Sequence, residues 1–327
     1  MLKALADKQW DYIVNCLFYE KTNLIYDFRV SFEQDGCISD LPTPEEISLN
    51  IPNACGWGTG MEDSTLSICP MLEAVLAHPA AQKCSEIISL GDHVNFGPQS
   101  REVHHRLLSL GATMLLGNHE ERLTRPTDAE FDGYNWRLMR WTAQQMRGLD
   151  LHFPTDLRRG SVHFTHGTPG DPYHLLQPEE VPALLRILPP EVTLLLSGHN
   201  HTPWDVTTEG RRAVNPGSTG MRERIPGGCE PPRSGVAPFL VLDGDVLAHH
   251  EAIYDVTEVA RAFVRTGACR VAPELCRAVL HVMQTGEPQG ALKLIRHVSA
   301  VAAGMGLTLA DEAAWKAADH TYPWAEA

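Results

Sequence analysis

Four apolar runs in this chain end alike, and that recurrence constrains its fold more than any other feature. "EIISLGD" closes on Gly91-Asp92, "ATMLLGNHE" on Gly117-Asn118-His119, "SVHFTHG" on His166-Gly167, and "VTLLLSGHNH" on Gly198-His199-Asn200-His201. Short runs of Ile, Leu, Val and Phe bounded by glycine read as buried strands. Glycine lets the backbone turn sharply there and come close to a ligand. In an open α/β sheet, ligands collect beyond the carboxyl ends of strands. Between the first two runs, "QSREVHHRLLSLG" reads as a helix, with Ser100 suited to the N-cap and Gly111 to the C-terminal stop. Strand, helix, strand at this spacing is a βαβ unit with parallel pairing and a right-handed crossover.

The rest of the chain is consistent with that class. "MLEAVLAHPAAQK" reads as a helix, and "APFLVLDGDVLAHHEAIY" as a hairpin turning at Asp243-Gly244. "YNWRLMRWTAQQMRG" and "PEEVPALLRIL" carry aromatic and Leu stripes that suit core or a lid; Trp136 and Trp141 are candidates for a cap or a dimer face. "RERIPGGCEPPRSGV" reads as an exposed loop. From about residue 256 the pattern is helical, giving an expected division into 1–70, 71–255 and 256–327.

Bulk properties exclude several classes. No apolar run reaches the roughly 18 residues of a membrane span, and the start "MLKALADKQWDY" lacks a secretory apolar stretch, so a cytoplasmic protein with no membrane partner is expected. The net charge of −14 argues against a nucleic-acid polymer as partner, because polyanions need a basic face. It leaves small phosphate esters open, since a bound divalent ion reverses the local field. The eight cysteines contain no CxxC pair, so free buried thiols are expected rather than disulfides or a zinc ribbon.

The strand ends bring together Asp92, Asn118, His119, His166, His199 and His201. A mixed Asp/Asn/His set suits borderline or hard divalent ions such as Mn, Fe, Zn or Ni. Single histidines carry less weight. His163 reads as a satisfied core or surface residue, and the adjacent pairs His104/His105 and His249/His250, whose side chains point apart, read as solvated.

"GDHVNFGP", "GNHE", "THG" and "GHNH", in that order, resemble the calcineurin-like metallophosphoesterase superfamily, and "NPGS" at 215–218 is similar to small bacterial phosphodiesterases of that group. The resemblance spans about residues 71–255. It implies an α/β sandwich with an atypical N-terminal segment and a small C-terminal helical appendage. It also implies one or two divalent metals per chain, and hydrolysis of a phosphomonoester or small phosphodiester by a metal-activated water. By position, Asp92 would bridge two metals about 3.5–4 Å apart. Asn118, His166 and His199 would complete one metal position and His201 would serve the other. His119 would act as general acid or electrostatic stabiliser.

The family's first motif, Asp-x-His, is missing: the first 70 residues contain no histidine. Asp40, Asp63 and Asp27 are the N-terminal carboxylates that follow short apolar stretches or precede the first helix, and they are the candidate substitutes. A central strand is expected from "NLIYDFRV" or "YIVNCLF", or is absent. The remaining N-terminal sequence, including "GWGTGMEDS", resembles the opening of α/α-barrel, sugar-acting hydrolases, which would imply carbohydrate hydrolysis. The lost motif equally suits a catalytically impaired metal-binding member with a recognition or scaffold role.

Overall fold

The computed structural model describes residues 69–124, 132–228 and 233–324, and the backbone of 12–13. The strands are β1 (Tyr12–Ile13), β2 (Ile87–Ser89), β3 (Thr113–Met114), β4 (Asp156–Arg159), β5 (Val162–Thr165), β6 (Leu194–Ser197), β7 (Trp204–Thr208), β8 (Arg211–Asn215), β9 (Val236–Asp243) and β10 (Val246–Ile253). They form two five-stranded sheets, ordered β10-β9-β1-β2-β3 and β4-β5-β6-β8-β7. Pairs β1–β2, β2–β3, β5–β6 and β6–β8 are parallel; antiparallel β9 and β10 lie on one side of the first set, and antiparallel β4 and β7 on either side of the second.

Ile88, Leu90, Leu115, Phe164, Leu196, Val214 and Leu240 form one buried cluster drawn from both sheets, so the architecture is an α/β sandwich. Strands carrying apolar residues on successive positions, such as Leu195 and Leu196, are covered on both faces. The expected sandwich class is thus the observed one. Of the segments expected to complete the first sheet, "YIVNCLF" supplies β1: Tyr12 pairs with Ile87 on one side and Val241 on the other. "NLIYDFRV", Asp27, Asp40, Asp63 and "GWGTGMEDS" lie outside the described residues.

The helices are α1 (Pro70–Ala77), α2 (Ser100–Ser109), α3 (Asn118–Leu123), α4 (Arg137–Gln145), α5 (Val181–Ile187), α6 (Thr257–Thr266), α7 (Ala268–Val271), α8 (Pro273–Thr285), α9 (Gly290–Met305) and α10 (Glu312–Thr321). Helices α6 to α10 form the C-terminal helical region, and their core continues into the sandwich. Phe263 and Trp315 share a cluster with Val75 of α1 and Phe239 of β9. Tyr134, in the short 3-10 turn before α4, donates its hydroxyl to Glu274 of α8, a further tie between the two regions. Among the described residues no helix is long and apolar enough to cross a membrane.

Two local readings need correction. Ser100 is the first helical residue rather than the cap, and its hydroxyl accepts the Asn95 N–H at 3.0 Å. His104 is not solvated. It is 2% exposed and lies 3.2 Å from His93 Nε2, because α2 turns that face toward the loop carrying Asp92. Its neighbour His105 is exposed, as adjacent residues on a helix diverge. His163 is buried and paired with Asp156 at 3.0 Å. Among the described residues, Cys69, Cys84, Cys269 and Cys276 form no disulfide with one another.

Candidate metal centre

The loop after β2 brings in Asp92. Gly91 has φ +94°, and a Cβ there would lie 2.7 Å from Gly117 N and 2.9 Å from His166 Nδ1. Only glycine permits that approach, which is why the two "LG" strand ends meet. Asp92 and His199 themselves have φ 55° and φ 59°, in the left-handed region that β-carbon residues seldom enter. Such conformations persist where surrounding bonds over-determine them, and those bonds are present. Glu120 accepts the N–H groups of Asp92 at 2.8 Å, Gly117 at 2.9 Å and Val94 at 3.2 Å. On the other sheet, Gly198 donates to the His166 carbonyl at 2.7 Å, and Asn215 donates to the Gly198 carbonyl at 2.6 Å.

His166 lies at the centre of the cluster. Its Nδ1 is 2.7 Å from the Leu90 carbonyl, which can only accept, so Nδ1 carries a proton. In the neutral ring Nε2 then presents its lone pair. Around Nε2 stand Asp92 Oδ2, Asn118 Oδ1 and His199 Nδ1, each at 3.2 Å. Ligand atoms of Asp92, His166 and His199 all lie within 4.8 Å of one another. Lone pairs from a carboxylate, an amide oxygen and two imidazoles converging on one point repel each other unless a cation sits among them. The donor set therefore fits a divalent metal, with the Leu90 carbonyl orienting His166 from behind.

Without a metal, a proton takes that role. Burial alone would raise the Asp92 carboxyl, but His119, His166 and His199 outweigh burial and hold it well below the usual carboxylate range. Burial alone would lower His166, but the Asp92 carboxylate overrides it and raises the ring above its ordinary value. Burial pushes His199 down to about 3 and His201 down to about 4, so both offer neutral rings near pH 7. Metal needs His166 neutral, so affinity is full above the raised pKa of His166 and falls as pH drops through it. Mn titrations are expected to show weaker binding at about pH 6 than at about pH 8.

All of the residues expected at one metal position, Asp92, Asn118, His166 and His199, are brought together. His201 stands apart: it is not in the group with mutually close ligand atoms, although Asp92 is the main neighbouring charge acting on its ring. Its carbonyl accepts the Glu223 N–H at 3.1 Å, and Glu223 in turn accepts the Gln289 N–H at 2.9 Å, tying this loop to the start of α9. No Asp-x-His follows β1 in the sequence, which reads Val14-Asn15-Cys16-Leu17-Phe18.

His119 is on the cluster's edge. Its N–H donates to Asp92 Oδ1 at 2.9 Å, its Nε2 lies 3.9 Å from Asp92 Oδ2, and its ring packs edge-on against Phe96. The Asn95 amide is 3.4 Å from His119 Nδ1; an amide N–H donates, which places the imidazole proton on Nε2.

Three residues were missed from sequence. Glu120 and Asn215 brace the loops that carry Asp92 and His199, and Asn95 faces His119. Each lies inside a quoted stretch ("GNHE", "GDHVNFGP", "NPGS"), and an acid or amide two or three positions from a glycine was the available signal.

The calcineurin-like phosphoesterase superfamily domain profile matches residues 70–229. A metallophosphoesterase from Sphaerobacter thermophilus superposes with TM-score 0.52 at 21% identity, over 64% of this chain and 92% of that one. A hypothetical protein from Pyrococcus horikoshii OT3 superposes with TM-score 0.51 at 18% identity, also over 64% and 92%. No curated protein matches the sequence. With the sandwich, the ordered motifs and the profile in agreement, residues 70–229 of this chain form a calcineurin-like phosphoesterase superfamily domain.

Proposed function

We propose that the chain is a metal-dependent phosphoesterase that hydrolyses a phosphomonoester or small phosphodiester. The observation that carries this reading is the convergence of Asp92, Asn118 and His199 on His166 Nε2 with His119 beside them. When bound there, a divalent metal supplies positive charge for the phosphoryl oxygens and lowers the pKa of water. Asp92, Asn118, His166 and His199 hold it. His119, with its proton on Nε2, donates toward the leaving oxygen, the step a positioned imidazole performs as general acid. Asn95 sets that tautomer. Phe96 limits the ring's motion from one side. Among Mn, Fe, Zn and Ni, the mixed oxygen and nitrogen donors favour no single ion.

A second reading, a metal-binding member without turnover, is favoured by one observation: no histidine occurs before His78, so the usual Asp-x-His is lacking. The deciding experiment is hydrolysis of 4-nitrophenyl phosphate and bis(4-nitrophenyl) phosphate by protein loaded with Mn, alongside metal content per chain. Metal-dependent turnover of either ester is the expected result. Bound metal with no turnover of a broader phosphoester set would establish the second reading instead.

A further inference from the structure

The helix that begins with Asn118 and His119 also carries Arg122. Residues three apart on a helix share a face, with Cβ atoms about 5–6 Å from each other. Helical side chains also lean back toward the N-terminus. Arg122 therefore belongs to the same helix face as His119, one turn further from the metal ligands.

Its surroundings are specific. The guanidinium carbon lies 5.1 Å from the ring centre of Tyr173 and 5.5 Å from that of Trp136. The two rings come from different elements. Trp136 ends the 3-10 turn before α4, and Tyr173 lies in the loop that leaves His166 and Gly167. Each ring is itself anchored. Trp136 packs against the cluster of Val94, Leu123 and Met139. The Tyr173 hydroxyl donates to Glu121, and its N–H donates to Asp171 Oδ1 at 2.8 Å. Glu121, the nearest acid in sequence, is thereby engaged with Tyr173. Among the described residues no carboxylate lies in ion-pair reach of Arg122. A guanidinium set against aromatic faces keeps its N–H edge for a planar or tetrahedral anion. On a chain of net charge −14, a cation placed this way beside an anion-handling site calls for a ligand.

We propose that Arg122, framed by Tyr173 and Trp136, is a subsite for a second anionic group, phosphate or carboxylate, carried on the leaving side of the phosphoester. This deepens the phosphoesterase reading and rests on it for the position of the scissile phosphate. The substrate class is then a phosphoester whose organic part bears its own negative charge, rather than a neutral alkyl or aryl phosphate. Arg122 acts in binding, not on the reacting atoms.

The test is calorimetric titration of the Mn-loaded full chain with phenylphosphonate and with 3- and 4-carboxyphenylphosphonate, in wild type, Arg122→Ala and Arg122→Lys. Wild type is expected to bind one carboxyphenyl isomer about tenfold or more tighter than phenylphosphonate, as a charge-assisted hydrogen bond supplies. Arg122→Ala is expected to erase that preference while leaving phenylphosphonate affinity within about twofold, and Arg122→Lys to recover part of it. A purely structural Arg122 would lower both affinities together. No preference in wild type, equal losses on both ligands, or a preference that survives in Arg122→Ala would each overturn the subsite. The phosphoesterase reading fails separately: the ligands would bind with the expected pattern while 4-nitrophenyl phosphate was not hydrolysed. Failure of wild type to bind any of the phosphonates would overturn both.

Discussion

Asp92→Asn is expected to abolish metal-dependent hydrolysis, lowering kcat/KM by about a thousandfold or more, which corresponds to several kcal/mol of transition-state stabilisation. The substitution keeps the size of the side chain and leaves an oxygen able to accept the His119 N–H now bound by Oδ1. What it removes is the negative charge at the centre of the donor set. Asn118, His166 and His199 would then face the metal as neutral donors only, and metal content per chain should fall well below wild type. His166 should also lose the main influence that opposes burial and raises its affinity for a proton. Unfolding should change little, because Gly91 and the Glu120 bonds that shape the loop remain. A variant that retained Mn as tightly as wild type would remove Asp92 from the ligand set.

His119→Ala is expected to lower kcat by about 10²–10⁴-fold, the range for loss of a positioned general acid, with Mn content unchanged. The ring lies 3.9 Å from Asp92 but is not part of the close donor cluster, so chemistry should suffer and metal retention should not. The loss should grow as the leaving group becomes more basic, because 4-nitrophenolate departs with little help and an alkoxide does not. Comparing 4-nitrophenyl phosphate with an alkyl phosphate across wild type and variant reads this directly. Equal losses on both esters would leave His119 as a charge stabiliser alone. Equal turnover of wild type and variant would remove its role.

Much of the sandwich was legible because its signals are local. The runs before Asp92, Asn118 and His199 are dense in Ile, Leu, Met and Val, and Gly91, Gly117 and Gly198 punctuate them. The βαβ unit followed from the helix period of Ser100–Ser109 between two such runs. Local patterning misjudged His104, since a histidine on a helix gives no sign of which face packs. Only the docking of α2 against the loop of His93 buries it. The same limit hid Glu120, which reads only as part of the polar end of the strand "ATMLLGNHE". Its three backbone partners lie on two segments separated by more than twenty positions in sequence.

The sequence by itself determined the kind of donors, their order and their places at strand ends, because residue type and hydrophobic period are written along the chain. It also determined the absence of histidine before His78. Only the tertiary structure decided which donors meet. His166 comes from one sheet and Asp92 from the other, 74 positions apart by their numbers, and their 3.2 Å contact depends on how the two sheets pack. It also decided that Tyr12–Ile13 lies between β2 and β9, and that Arg122 lies beside Tyr173 and Trp136. Contacts between distant segments are set by the shape of the buried interface, and no local period along the chain encodes that shape.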